Sequence, residues 1–311
     1  MELVAVVDSE PAALEAAHRE SLRAWPTLAD GLQGGHFDGV IIASPPHEHP
    51  DQTIACLRAG LAVLVEKPFA LTLEAAARVA QESTGLGIPV TVGQNFRFLR
   101  RERAVRKALE LDVGRVVGAS IVSARAATVA MPHLASIRHG PVWDICVHHL
   151  DALRVRFGSA PQQVAMSVTR LGESSDASRL RFELALIWRD GPAVLYQHSE
   201  GAPGYHHSEW IEGERRAILV DDQEVAVLFP SHRPRSVRVA RGPDPEQAVL
   251  DEFLDSLDSG DSPRLGPQDN LLTVAMLEAA VRSERLGRPV MLDEVGEAAG
   301  VPLGAQTVAH G

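Results

Sequence analysis

Lysine is nearly absent from this chain: of its 30 basic residues only Lys67 and Lys107 are lysine, and the other 28 are arginine. Arg does not deprotonate in proteins, whereas a partly buried Lys can be tuned into a base, so a lysine kept among arginines marks a place where more than charge is needed. Cysteine is as scarce. Cys56 and Cys146 each stand alone in an apolar stretch, which argues against a disulfide framework and predicts two buried, reduced thiols. No basic block offsets a net charge of −11, so neither nucleic acid nor an anionic membrane surface is expected as a main partner. No apolar run approaches the roughly 18–20 residues of a membrane span, and no charged-then-apolar leader opens the chain, so a cytoplasmic protein is expected. A glycine-rich, phosphate-cradling turn is missing as well: Gly31, Gly34 and Gly35 follow a helical stretch and read as an ordinary loop.

What is present is a change of pattern along 311 residues, enough for two ordinary domains. Leu3–Val7, Gly39–Ala43, Leu61–Val65 and Val90–Val92 are short, continuous apolar runs. Between them lie helical stretches over Pro11–Leu22, about Pro50–Ala59, and Thr72 to about Thr84. Continuous apolar strands alternating with helices predict a parallel sheet covered on both faces, and such sheets bind ligands outside the carboxyl ends of their strands. Asp8, Ser44, His49, Lys67 and Gln94 fall at or just beyond those ends. An acid where Asp8 stands hydrogen-bonds an adenosine ribose and repels a 2′-phosphate, favouring NAD over NADP, unless it only caps the Pro11 helix. No glycine turn precedes Asp8. If the fold is Rossmann, the chain as written starts at its second strand. The missing strand is then expected between the strand ending at Asp8 and the one ending at Lys67, so that Val4–Val7 and Val63–Val65 each have an unpaired edge or close directly on each other.

From about Gly118 the strands lengthen and alternate: Ala119–Ser123, Arg179–Leu184, Ala193–Tyr196, Ala217–Val220 and Ala226–Phe229. Alternation predicts an antiparallel sheet with one wet face. A helix carrying Phe253 and Leu257, a helix over Asn270–Leu286 and a short strand Pro289–Leu292 follow. The expected division is 1–98 for a Rossmann-type dinucleotide-binding domain lacking its first βα unit, and 99–311 for a C-terminal α/β domain with a large, mostly antiparallel open sheet.

Between the halves, a helix predicted over about Val142–Phe157 carries Asp144, His148 and Asp151. At roughly 100° per residue they project at about 0°, 40° and −20°, onto one face. Histidine accepts and returns protons near neutrality, and a carboxylate one turn away can orient it or meet a substrate hydroxyl. A metal would need further ligands, and none is expected.

These motifs together resemble the Gfo/Idh/MocA family of NAD(P)-dependent sugar and polyol oxidoreductases. The matching residues are Asp8, Ser44-Pro45-Pro46-His47-Glu48-His49, Glu66-Lys67-Pro68, Val92-Gly93-Gln94-Asn95-Phe96-Arg97, the Asp144/His148/Asp151 helix, and Ala279–Ser283 with Gly287–Val290. The resemblance runs from Glu2 to about Val295, with no counterpart of the family's first strand, glycine turn and first helix. It implies catalysis by Lys67, Asp144 and His148, with Lys67, Asp144, His148 and Asp151 on the substrate side. Asp8, Ser44, Pro45, His49, Glu66, Lys67, Gln94 and Arg97 then lie on the NAD side. It further implies a sugar or polyol-like substrate and a homo-oligomer built through the C-terminal sheet. Two other readings stay open: a cofactor-defective relative with a binding or regulatory role, and a non-redox lyase or hydrolase using the same His/Lys/Asp site.

Overall fold

The apolar runs of the first ninety residues form parallel strands, in two sheets. The structure, a computed structural model, describes residues 1–126, 137–170, 179–222, 224–229 and 232–303. Strand β1 (Ala5–Val7), helix α1 (Pro11–Arg19), β2 (Arg23–Trp25), α2 (Leu28–Gly34), β3 (Gly39–Ile42), α3 (His49–Arg58), β4 (Ala62–Val65), α4 (Leu73–Leu86) and β5 (Val90–Val92) follow one another. β1 pairs only with β2, and β3, β4 and β5 form a separate sheet in that order. All these pairings are parallel.

The strand that leads to Lys67 therefore has no open edge. β4 is hydrogen-bonded on both sides, and Val63 and Val65 are fully buried. The unpaired edges belong to β1 and β3, where Val7 and Ile41 are 41% and 48% exposed. The expectation of an edge at Val63–Val65 is thus corrected: β3 lies between β4 and the gap. The glycines read as a loop are corrected too. Gly31 and Gly34 lie in α2, whose N-terminus Thr27 caps by accepting from the Asp30 amide. A Cβ at Gly31 would run into Val7, and one at Gly34 into the Trp25 ring. They permit close packing of a helix on the β1–β2 pair.

After a 3₁₀ turn (Asn95–Phe98) and α5 (Arg100–Leu109), β6 (Val116–Ala126) enters the second sheet. A π-helical turn (Val142–Cys146) runs straight into α6 (Val147–Phe157). Then come β7 (Gln163–Arg170), β8 (Leu180–Ile187), β9 (Ala193–Ala202), β10 (His206–Gly213), β11 (Ala217–Val220), β12 (Val225–Phe229) and β13 (His232–Ser236). Helices α7 (Pro245–Ser259) and α8 (Pro267–Leu286), β14 (Val290–Met291) and α9 (Leu292–Ala299) close the described chain. The nine strands run in the order β13-β12-β11-β10-β6-β9-β8-β7-β14. Every pair is antiparallel except β6 with β9, which is parallel. The molecule is an α/β protein, a Rossmann-type unit followed by a large, mostly antiparallel open sheet.

Two late helices tie the parts together. α7 packs on β4, β5 and the 3₁₀ turn, with Phe253 and Leu257 against Gly39. α8 is buried on nearly all sides, as its apolar run demands, and touches α4 and β5 on one flank and α6 and β7 on the other. One face of the large sheet thus receives the helices. Leu195 and Trp210 lie exposed on the other.

The pairing pattern predicts local stability. In hydrogen-exchange mass spectrometry, β4 amides should be the slowest of the N-terminal strands, and β1 and β3 should exchange markedly faster. Equal protection of β1, β3 and β4 would show that the gap between the two small sheets closes in solution.

Candidate active site

Lys67 leaves β4 at the sheet's carboxyl edge, in a turn held by the Glu66 amide donating to the Ile42 carbonyl at 2.9 Å. Glycine at position 93 lets β5 come close here, since a Cβ would stand 3.3 Å from Glu66 Oε2. The ammonium crosses to the other half of the molecule. Lys67 Nζ donates to Asp144 Oδ1 at 2.7 Å and to the Asp144 carbonyl at 3.1 Å. Asp144 lies on the π-helical turn, where the wider winding departs from i→i−4 pairing; such turns recur at functional sites. Its second oxygen, Oδ2, is 2.8 Å from Arg125 Nη2 on β6. Burial alone would raise this carboxyl, but the Lys67 and Arg125 cations hold it below its ordinary value.

One turn on, His148 is 5% exposed and stacks face to face on Phe96, with ring centres 3.9 Å apart and planes 11° from parallel. Its Nδ1 is buried with no hydrogen-bond partner among the described residues. Burial, reinforced by the nearby Lys67 ammonium, pushes its pKa down to about 3, so the ring is neutral at physiological pH and open to a proton.

Asp151 behaves differently from its two neighbours on the helix. It is 1% exposed, and both oxygens are taken from within the protein. Arg97 grips it with two hydrogen bonds of 2.6 and 2.8 Å, while Arg154 Nη2 (2.8 Å) and Thr273 Oγ1 (2.9 Å) donate to Oδ1. Asp269 completes the cluster through Arg97 Nη2 at 2.5 Å and Arg154 Nη2 at 2.6 Å. Burial would raise the Asp151 carboxyl, yet the Arg97 and Arg154 guanidiniums hold it far below the usual carboxylate range. The π turn rotates Asp144 away from the single-helix expectation, so the predicted common face splits. Asp144 turns to Lys67 and Arg125, His148 to Phe96, and Asp151 inward to Arg97, Arg154 and Thr273. Arg97, expected on the cofactor side, has its guanidinium committed to Asp151 and Asp269.

The strand-end residues of the first half divide in the same way. His49 is 1% exposed and bridges two turns, with Nδ1 2.9 Å from the Pro68 carbonyl and Nε2 2.7 Å from the Ser44 carbonyl. Burial lowers its pKa against the pull of those carbonyls. Ser44 Oγ donates to Gln52 at 2.6 Å, and the Pro45 carbonyl accepts from the Glu48 amide. Gln94 donates to Asn270 at 3.0 Å, while its Oε1 is buried without a partner. Asp8 Oδ1 accepts from the Glu10 amide at 2.8 Å at the head of α1, so the helix-capping reading of Asp8 has a bond behind it. Glu66 is exposed, and its Oε2 accepts from the Lys67 amide. Asp8, Ser44, Glu66, Lys67 and Gln94 all follow strands on the ligand-binding edge. Their carboxylate, ammonium and amide groups suit the ribose and nicotinamide ends of a dinucleotide. Among the described residues no glycine turn at a strand end supplies the fan of amides that a pyrophosphate requires.

Phe96, Arg125 and Glu200 complete the surroundings, and they were not singled out from sequence. A signal existed for the last two. The inward positions of β6 continue from Ala119 and Ile121 into Ser123 and Arg125, and those of β9 from Val194 and Tyr196 into His198 and Glu200. Ending the strands at Ser123 and Tyr196 hid this. Among the described residues no group of three or more His, Cys, Asp or Glu side chains could hold a metal ion.

With only two lysines, the Lys67–Asp144 contact can be tested chemically. Limiting acetic anhydride at neutral pH, followed by peptide mass mapping, should label exposed Lys107 first and Lys67 slowly. Asp144→Asn should speed labelling of Lys67. Equal labelling of both lysines in the unaltered protein would count against the contact.

Comparison with known proteins points the same way. Residues 1–94 match the family described as Gfo/Idh/MocA oxidoreductases with an NAD-binding Rossmann fold. The chain is 27% identical to D-apiose dehydrogenase of Paraburkholderia graminis, over 94% of its own length and 83% of that protein's. It is 26% identical to inositol 2-dehydrogenase of Rhizobium meliloti, over 90% and 88% of the two chains. An oxidoreductase of Agrobacterium radiobacter, solved with NAD+, L-tartaric acid and magnesium, shares the fold with a TM-score of 0.79. That likeness covers 94% of this chain and 91% of that one, at 22% identity. In its Rossmann-type unit and its open sheet the chain is thus similar to the Gfo/Idh/MocA oxidoreductases along most of its length, and residues 1–94 match that family's NAD-binding Rossmann description.

Proposed function

We propose that this protein is an NAD-dependent dehydrogenase acting on a secondary hydroxyl of a sugar or polyol, and on the matching ketone in reverse. The observation that carries the reading is the meeting of a neutral, buried His148 with a half-buried Lys67–Asp144 pair at the edge where the Rossmann strands end. The sugar and cyclitol substrates in the names of its apiose and inositol relatives support that class.

A nicotinamide cofactor held at the ends of the Rossmann strands would supply the acceptor for the carbinol carbon's hydride. The protein's part is to handle the proton and the charge. The Lys67 ammonium, anchored on Asp144, lies where it can donate to the substrate oxygen and stabilise alkoxide character as the proton leaves. The neutral imidazole of His148 accepts that proton. Phe96 fixes the plane of the ring by stacking on it. Asp144 holds Lys67 and offers its carboxylate to a neighbouring hydroxyl. Asp151 and Arg97 act at one remove: their buried pairing seats α6 against the 3₁₀ turn that carries Phe96, and we assign neither a ligand contact.

On this reading residues 1–98 hold the cofactor and 99–311 shape the substrate side, with α7 returning to cover the first half. Asp8 favours NAD, because its carboxylate would face a 2′-phosphate at short range. The exposed sheet face with Leu195 and Trp210 supports a homo-oligomer. The buried free thiols Cys56 and Cys146 accord with a reducing, cytoplasmic location.

Turnover of a panel of polyols, cyclitols and aldoses with NAD, followed at the nicotinamide absorbance, tests the reading. Lys67→Ala and His148→Ala should each lower kcat by about 10²-fold or more, and wild-type turnover in His148→Ala would remove it from the mechanism. Because the folded pKa of His148 is depressed to about 3, protonation of this ring should not cut activity until well below the ordinary histidine value of about 6.5. A loss of kcat/KM centred near pH 6.5 and abolished in His148→Gln would contradict the buried environment. Asp8→Ser should narrow the preference for NAD over NADP, and a wild-type preference for NADP would show that Asp8 does not meet the ribose.

A further inference from the structure

We propose that Arg125 and Glu200 form a positioning pair that orients Asp144, and through it Lys67, for the reaction. This deepens the dehydrogenase reading and rests on it. Arg125 and Glu200 face each other across the parallel β6–β9 pairing, in register. Arg125 Nε donates to both Glu200 oxygens, at 3.1 Å each, which fixes the plane of the guanidinium. Its Nη2 then meets Asp144 Oδ2 at 2.8 Å, while Asp144 Oδ1 takes Lys67 at 2.7 Å. Each carboxylate oxygen of Asp144 thus has its own cation, one from each half of the molecule. Neither cation alone would set the rotation of the carboxyl group.

Glu200 is held in turn. Its Oε2 is 3.1 Å from His198 Nε2, His198 Nδ1 is 2.7 Å from Ser123 Oγ, and Ser123 Oγ is 3.2 Å from the Tyr196 hydroxyl. All four residues lie at inward positions of β6 and β9 and are no more than 7% exposed. Apolar side chains of similar size in a sheet interior are often as stabilising as a buried ionic array, or more so. Stability is therefore a weak reason for this array, and its one outlet toward the chemistry is Asp144. The groups facing Asp144 are Lys67 after β4, Arg125 on β6 with Glu200 behind it on β9, and His148 on α6.

The test uses the full chain with NAD and whichever polyol or sugar it turns over. Arg125→Gln should lower kcat about 10- to 100-fold, the scale of withdrawing the partner of a buried charged group, with little change in KM or in NADH binding by nicotinamide fluorescence. The acidic limb of its pH profile should move to higher pH, because Asp144 loses one of two cations that keep it ionised. Arg125→Lys should recover part of the rate and return the limb. Glu200→Gln keeps the shape and serves if Arg125→Gln fails to fold; its limb should move to lower pH, since a negative neighbour of Asp144 is gone. These opposite shifts are not expected of residues that merely stabilise the sheet.

Unchanged kcat and pH limbs in both variants would overturn the inference. So would a crystal structure of Arg125→Gln in which Asp144 still holds Lys67 at the same distance and orientation. If the wild-type chain binds NADH but oxidises no hydroxyl compound, the dehydrogenase reading fails instead. The variant structure then decides the positioning role alone: a carboxylate turned away from Lys67 supports it.

Discussion

The bidentate pairing of Arg97 with Asp151 decides where the two halves of the molecule meet. Arg97 belongs to the turn that follows the last Rossmann strand, and Asp151 to the helix that follows the π turn. Both groups are buried with Arg154 and Asp269, and removing one partner from such a cluster leaves an uncompensated charge at a cost of about 3–5 kcal/mol. The cluster admits little rotation, because two parallel hydrogen bonds from a planar guanidinium define an orientation as well as a distance. The Phe96–His148 stack hangs from the two elements that the cluster joins. Phe96 is one residue from Arg97, and His148 is one turn from Asp151. Their stacking follows once the arginine and aspartate have met.

Around that anchor the charges balance closely. Lys67 and Arg125 oppose Asp144 and Glu200, and His148 is kept neutral by burial. A site with no surplus charge suits a neutral, hydroxyl-rich ligand better than a strongly ionic one. It also leaves Lys67 able to respond to charge that develops only during reaction, which is where electrostatic assistance counts. The scarcity of lysine acquires a reason here: a compact ammonium fits between a carboxylate, a carbonyl and a ligand oxygen, whereas a guanidinium fork is better matched to a flat carboxylate pair. The arginines of this structure do take such partners, as Arg97, Arg125 and Arg156 show.

Much of the fold was legible in the sequence because hydrophobic period is a local property. Continuous apolar runs marked β3, β4 and β5, alternation marked β6, β8, β9, β11 and β12 of the second sheet, and Gly287 after Leu286 marked the end of α8. The shorter pieces were not legible. β2 is three residues long, and α2 contains two glycines, so neither carries a local signal strong enough to read. β10 escaped because its inward positions include His207 and Glu209, polar residues whose burial depends on Arg156 and Glu102 from other elements.

By itself, then, the sequence determined the type of each half and singled out Lys67 at a strand's carboxyl end and Asp144 and His148 one turn apart, since strand ends and helical spacing depend on near neighbours alone. Only the tertiary structure decided what each of those residues does. The π turn separated Asp144 from Asp151, and pairing with Arg97 engaged both oxygens of Asp151. The parallel register of β6 and β9 set Arg125 against Glu200, 75 residues apart along the chain. The order of the small sheets put β3, not β4, at the open edge. Each of these outcomes is a pairing between distant segments, governed by which buried charges find partners and which strands find neighbours, and no local pattern along the chain encodes that choice.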